Sequence, residues 1–536
     1  MKLTVSIARK DVTTFEELIR AVYVERLGLT RLEPTSSLSF PVQAYIQRDK
    51  PTQPKWVNFL GQHFAVTGVE NTSNSFVLLA KVRDRIFAVT FGVSGINSLD
   101  RGKLERGFGL RVCANSVDAS ELISVDTRNL DAVTRQQKTH LSIGSSISDF
   151  SIPVEQDWVR RIQGKTGKLD FAKSLSGADS LHINVSGSLS KLPDFLSAIL
   201  DAYESEDYKT TFPFLDYYSP VDSHDPRFAE LERKLLARVL NRATEKTSLA
   251  APQIVDDEQV SHYEISAKYK VAETEEVTLA GVYEFLGASY DGDDPLHDVR
   301  IVPIADSGQA AGQKRPLRDW VVCEVAESDR TYVLSLGEWY EVAGDFVSSV
   351  NSEVARIADV TDELQLDAWQ PSEKEGDYNE RVAENRQWAL LDKKNYSIGG
   401  PSQKIEICDL LTKDMQLICV KQQTSSATLS HLFSQGSVSA ELYRGEPDYR
   451  NRIYNDAREN WGEEIPEPPE GPTPTIVYAI ANDRPGKLAD NLFFFSKITL
   501  LANRRIIERL GIKVAMARVP MPTGTLRTKK RKRRSA

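Results

Sequence analysis

A chain of 536 residues exceeds what one hydrophobic core can organise, so two to four domains are expected. Its 40% hydrophobic and 27% charged content is ordinary for globular proteins, which excludes wholesale disorder. The net charge of −9 conceals an asymmetry: seven cations within the last ten residues contribute +7, leaving −16 on the other 526.

In chain order, residues 1–8 read as a first strand. Residues 73–82, a polar turn at 83–85 and residues 86–92 read as a β-hairpin, since two β-prone apolar runs flank a short turn. Gly107 and Gly109 follow within 104–112, without the strand-to-helix GxGxxG frame of a nucleotide loop, and residues 308–314 fail the P-loop spacing. Residues 228–240 repeat apolar side chains at helical spacing (Phe228, Leu231, Leu235, Leu236, Leu240), a face expected in a core. Linkers are expected near 242–258, across the Gly/Asp/Pro-rich 287–318, and at the proline-stiffened 466–474. The division that follows is an N-terminal α/β domain of unknown role (1–245), a middle α+β domain (258–370), a C-terminal domain (376–519) and a basic tail (520–536).

The chemistry concentrates in residues 376–482. A helix-prone stretch at 377–386 and a short apolar strand at 388–392 precede two β-prone runs, 405–411 and 416–421, joined by Thr412-Lys413-Asp414. Asp409 is expected late on the first of these strands and Lys421 at the end of the second. Ser425 and Ser426 are N-cap candidates for a helix reaching about Tyr443, helical character resumes over 448–461, and 475–481 reads as a buried strand. This order of helix, three strands, helix and strand resembles the restriction-endonuclease-like PD-(D/E)XK fold, a mixed sheet flanked by helices. The resemblance implies that Asp409 binds Mg²⁺ or Mn²⁺ through oxygen and that Lys421 stabilises charge on the transferred phosphate. It departs from the pattern at Cys419, where an acidic residue two before the lysine is expected; sulfur is a poor ligand for a hard cation. A second oxygen ligand is then expected from Glu380 on the preceding helix or from Asp392. His431 and Gln435, four residues apart on one helical face, are expected to reach a metal-bound water or a phosphate.

The whole chain resembles a sporadically distributed bacterial family of unknown function, encoded near restriction and other phage-defence genes. The segments that carry this are 75–92, Phe108-Gly109-Leu110-Arg111-Val112 with Asn115, residues 405–410, Val420-Lys421, residues 429–436 and Phe494-Phe495-Ser496-Lys497. The resemblance implies a defence-associated role, with other defence proteins as partners, and brings no mechanism with it.

Lys529, Lys530, Arg531, Lys532, Arg533 and Arg534, with Arg527, are expected to form an arm for DNA or RNA. No apolar run approaches the ~20 residues that span a bilayer. Four scattered cysteines without a CxxC pair fit a reducing cytoplasm. Three functions remain open: a Mg²⁺-dependent DNA or RNA nuclease of a defence system, a catalytically impaired nucleic-acid-binding scaffold of such a system, and a toxin-like enzyme of another chemistry that uses the N-terminal half.

Overall fold

The computed structural model describes residues 1–522 apart from 49–50, 52, 55–56, 58–59, 61–62, 73, 93–94, 130–135, 151–154, 156, 245, 253–259, 269, 275–276, 288–291, 305–312, 328–329, 371–372, 393–394, 398–403, 424–425, 463–465 and 467–471. The tail cations from Arg527 to Arg534, most of 308–314, Ser425 and the middle of the 466–474 connector lie outside the described residues. The protein is a mixed α+β chain that divides into two compact units. The first comprises Met1–Arg128, Gln136–Asp216 and Asp222–His224; the second comprises Asn129–Arg135, Tyr217–Val221 and Asp225–Ala536. The expected middle and C-terminal stretches both fall in the second unit. No helix among the described residues is long and apolar enough to cross a membrane.

The first unit is built on one ten-stranded sheet. Its strands are β1 (Lys2–Ile7), β2 (Thr30–Leu32), β3 (Val42–Arg48), β4 (Asn74–Val82), β5 (Arg85–Phe91), β6 (Val117–Asn129), β7 (Gln136–Ser145), β8 (Asp157–Thr166), β9 (Ala172–Gly177) and β10 (Leu181–Val185), in the order β2-β3-β4-β5-β1-β10-β9-β8-β6-β7. The expected hairpin is β4–β5, turned at Arg83, which takes a positive φ of 52°. Period-2 alternation sends Leu3, Val5 and Ile7 into a core with Leu181, Ile183, Leu175 and Ile162, and helices α1 (Phe108–Ser116) and α2 (Leu192–Glu204) bring Phe108, Val112, Leu196 and Ile199 to the same core.

The two glycines near residue 108 have a packing role. Gly107 precedes α1 with a φ of 66°, and its N–H donates to Asp179 Oδ1 at 2.9 Å. A Cβ on Gly109 would meet the Ser180 carbonyl oxygen at 2.3 Å, and one on Gly177 would meet the Gly109 carbonyl oxygen at 1.8 Å. Helix and strand touch through bare backbone.

In the second unit, β11 (Tyr218–Pro220), β12 (Thr247–Leu249), β17 (Val321–Glu327), β18 (Arg330–Ser335) and β19 (Glu338–Val342) form a five-stranded sheet in the order β11-β19-β18-β17-β12. A four-stranded sheet, β14-β13-β15-β16, is made by β13 (His262–Ala267), β14 (Lys270–Thr274), β15 (Arg300–Ile304) and β16 (Arg315–Pro316). Both contribute to a core with α3 (Pro226–Leu240) and α4 (Leu279–Leu286). Two expected linkers therefore need correction. The 242–258 stretch contains β12, whose Thr247 and Ser248 are buried, and the 287–318 stretch contains β15 and β16. Strand pairing satisfies the backbone of these polar segments, so their composition does not expose them. On α3, Leu231, Leu235 and Val239 face inward, whereas Leu240 is 50% exposed.

The chain then passes through α5 (Gly344–Ala355) to a six-stranded mixed sheet, β20-β27-β26-β25-β24-β21. Its strands are β20 (Ala358–Asp359), β21 (Ala389–Leu390), β24 (Leu410–Leu411), β25 (Gln416–Gln422), β26 (Thr475–Asn482) and β27 (Lys513–Pro520); β22 (Asn395–Ser397) and β23 (Lys404–Glu406) pair separately. β25, β26 and β27 are parallel, while β24 runs antiparallel to both β25 and β21. Helix α6 (Glu375–Arg386) lies between β20 and β21, α7 (Ser426–Gly445) and α8 (Pro447–Trp461) connect β25 to β26, and α9 (Phe494–Arg509) connects β26 to β27. Covered on both faces, β26 reads as the near-continuous apolar run of a parallel strand. Ile418, Val420, Val477 and Ala479 meet Tyr378 and Val382 of α6 on one face. On the other, the Tyr478 ring packs edge-on against Phe433 of α7, and its hydroxyl donates to the Phe433 carbonyl at 2.9 Å.

The expected 405–411 strand is broken. Residues 404–406 pair with β22, and a two-residue β24 starts only after Asp409. The break coincides with contacts across the sheet: the Asp409 N–H donates to the Ile418 carbonyl, and its own carbonyl accepts from the N–H groups of both Leu391 and Asp392. Asp409 thus precedes a strand instead of lying late on one.

Candidate functional site

One end of the six-stranded sheet gathers polar side chains where β24 begins and β25 ends. Asp409, 4% exposed, accepts at Oδ2 from the Val420 backbone N–H (2.6 Å) and at Oδ1 from Asn379 Nδ2 (3.3 Å). Because β24 is so short, this carboxylate supplies an acceptor where a longer strand would have offered a carbonyl. Lys421 follows Val420 directly, and its Nζ lies 2.7 Å from Glu375 Oε1 on α6. Glu375 and Asn379 are one helical turn apart, so both face the same strip of sheet. Asp409 and Lys421 are therefore brought together through α6, each touching one of two residues on adjacent turns.

The remaining expected residues are placed differently. Glu380 is exposed, rotated by about 100° around α6 from Asn379. Asp392 is half-buried and joined to Asp409 through its backbone N–H. His431 is exposed and Gln435 half-buried on α7, the helix that covers the face of the sheet opposite α6. Cys419, wholly buried, lies beside Tyr478 in the parallel register of β25 and β26. Burial, with Cys419 adding to it, drives the Tyr478 phenol far above its ordinary range, so it stays a neutral donor.

Sequence reasoning missed Glu375 and Asn379. One signal was available: Asn379 is the polar residue within the buried face formed by Tyr378, Val382 and Ala383. An amide at such a position needs a specific partner.

Among the described residues no three His, Cys, Asp or Glu side chains come together to hold a metal ion. The donors that do gather are hard oxygens. Beside the Asp409 carboxylate, the Oδ1 of wholly buried Asn379 accepts no hydrogen bond among the described residues, leaving an orphaned acceptor at the site. Mg²⁺ commonly takes only one or two carboxylates and completes its shell with water and phosphate oxygens. Asp409, Asn379 and Glu375 fit that demand in chemical type.

The supports of the site are strongly tied. The Arg381 guanidinium grips Glu373 through Nε (2.7 Å) and Nη2 (2.8 Å), and this pairing holds the Glu373 carboxyl below its usual range. The Trp369 and Tyr378 rings stack 4.4 Å apart, anchoring the start of α6. Beyond β25 and β26, Gln423 Nε2 donates to the Asn491 carbonyl and Asn482 Nδ2 donates to Gln423, closing the adjoining loop with internal bonds.

A model of a family of unknown function, DUF6119, matches residues 3–520. The chain belongs to this family. No curated protein and no solved structure matches it.

Proposed function

We propose that this member of DUF6119 is a metal-dependent nuclease acting on DNA or RNA in a phage-defence or restriction-like system. The observation that carries the reading is the Lys421–Glu375 contact beside the Asp409–Asn379 pair, which sets a cation and two carboxylates at one end of a mixed sheet. The order α6, β21, β24, β25, α7, β26 supports it as the arrangement expected of a restriction-endonuclease-like core. In this reading Glu375 takes the part that the sequence assigned to Glu380, and Asp409, Asn379 and Glu375 would hold Mg²⁺ or Mn²⁺. Bound there, the ion would polarise a phosphoryl oxygen and make a water more acidic. Lys421, released from Glu375, neutralises the charge that grows on the phosphate, and Asn379 holds Asp409 in place. The defence setting rests on the family resemblance.

A second reading has its own support. Cys419 stands where the motif carries an acid, and Asp409 is 4% exposed with a backbone donor on Oδ2. Both favour a scaffold that binds nucleic acid without cutting it.

The test is incubation of the purified protein with DNA and with RNA, in Mg²⁺ or Mn²⁺ against EDTA, alongside Lys421→Ala. Metal-dependent cleavage lost in the variant, with a drop of orders of magnitude for one electrostatic contact worth about 3–4 kcal/mol, supports the nuclease. Binding without cleavage in every metal establishes the scaffold.

A further inference from the structure

The face of the first unit's sheet turned away from α1 and α2 is polar across six consecutive strands. Register lines up Thr4, His182, Ser176 and Gln163 across β1, β10, β9 and β8, and sets Asp126 of β6 opposite Lys138 of β7. The row is bonded along its length. Thr4 Oγ1 meets His182 Nδ1 at 3.1 Å, Arg161 Nη1 donates to Ser176 Oγ at 3.3 Å, and Arg161 Nε lies 3.4 Å from Asp126. An open pocket of about 480 Å³ lies over this face.

Exposed sheet faces are commonly polar, so polarity alone says little. Charge and extent say more. Among the described residues, Lys2, Lys138 and Arg161 line the pocket against the carboxylate of Asp126, giving +2 with His182 neutral, on a chain whose net charge is −9. The imidazole registers that field. Burial first, then the charges of Arg161 and Lys2, hold His182 below its ordinary value. Lys2 and Lys138 are separated by five strand spacings, about 24 Å along an ideal sheet, more than one phosphate or one nucleotide reaches. Among the described residues no Phe, Tyr or Trp lines the pocket, so bases find no stacking platform there.

We propose that this face is a groove for the extended phosphate backbone of single-stranded nucleic acid, gripped without regard to base. It is independent of the cleavage chemistry and rests on the reading above only for nucleic acid being the natural ligand.

The test is fluorescence anisotropy on the full chain in EDTA, using a 12-nucleotide DNA oligonucleotide, an abasic oligonucleotide of equal length, and inorganic polyphosphate as competitor. Lys2 and Lys138 are exposed, so Lys2→Glu/Lys138→Glu reverses charge without touching the core, and Lys2→Arg/Lys138→Arg preserves it. Expected are equal affinities for the normal and abasic strands, at least a tenfold loss in the Glu double variant, a salt slope flatter by about 2, and retained binding in the Arg double variant. Unchanged affinity and slope in the Glu variant overturn the proposal. So does a loss confined to polyphosphate, which would assign the groove to another polyanion. The anisotropy is read in EDTA and requires no cleavage, so failure here and failure of the nuclease reading remain separate results.

Discussion

Asp409 and Val420 are joined side chain to backbone: Oδ2 of the one accepts the N–H of the other at 2.6 Å. The carboxylate thereby continues the ladder that β24 is too short to provide. A residue expected to serve chemistry is also part of the sheet. Asp409→Ala should leave the Val420 N–H and the Asn379 amide without an acceptor and cost about 1–3 kcal/mol. Asp409→Asn keeps one acceptor oxygen and should cost less. Urea unfolding of the two variants gives the order; equal stability of Asp409→Ala and the parent would show that the bond carries no weight.

Helix phase separates Glu375 from Glu380. If the site is built as proposed, Glu375→Gln should reduce metal-dependent cleavage by at least 100-fold, within the range lost when one charge-stabilising group is removed. Glu380→Gln, on the exposed side of α6, should leave the rate within twofold. The reverse ranking would return the role to Glu380 and require α6 to be rotated.

The Glu373–Arg381 fork fixes the start of α6 and carries a pH signature. The Glu373 pKa lies below its ordinary 4.5 in the folded chain, chiefly through the Arg381 hydrogen bonds. The unfolded chain thus binds the proton more readily. The stabilisation is complete above about 4.5 and is lost as pH falls through the depressed folded value. Glu373→Gln should therefore be less stable than the parent at pH 7, by about 1.5–3 kcal/mol for hydrogen bonds to a charged group. The gap should close toward pH 3. Chemical denaturation at pH 7, 5 and 3 checks this, and a gap independent of pH would contradict it.

Gly177 faces the Gly109 carbonyl so closely that a Cβ would sit 1.8 Å from it. The two nearest atoms are Gly109 backbone, which cannot rotate away, and Cys113 Sγ follows at 2.8 Å. Gly177→Ala should force α1 off the sheet and cost about 3 kcal/mol, the upper part of the range for overpacking. Thermal melts would show it; a parent-like melting temperature would mean that α1 shifts cheaply.

The seven cations of residues 527–536 should contact phosphates without reading bases. Deleting them should weaken binding to DNA or RNA by a similar factor for every sequence and flatten the salt slope by up to about 6. If the chain cleaves as proposed, cleavage at saturating substrate should persist. Identical affinity and slope from about 50 to 200 mM salt would reduce the tail to a solubilising appendage.

Much of the second unit was legible in the sequence. The run 475–481 reads as a buried strand because a parallel strand covered on both faces admits little but apolar residues, and β26 spans Thr475–Asn482. The helix-prone stretches 377–386 and 448–461, and the helix expected behind the N-cap candidates Ser425 and Ser426 to about Tyr443, correspond to α6, α8 and α7. The 73–92 hairpin declared itself through alternation about a polar turn.

Tertiary structure decided what local pattern does not encode. Whether 405–411 is one strand depended on where the Leu391 and Asp392 N–H groups find acceptors, a contact across the sheet that interrupts the strand at Asp409. The polar stretches at 242–258 and 287–318 became β12, β15 and β16 because distant strands satisfied their backbones. Glu375, not Glu380, meets Lys421 because a carboxylate five residues along a helix points about 140° away, and the phase of α6 is set by Tyr378 and Val382 packing on the sheet. Composition and periodicity are properties of neighbours in sequence, whereas a site depends on which faces the core has already claimed.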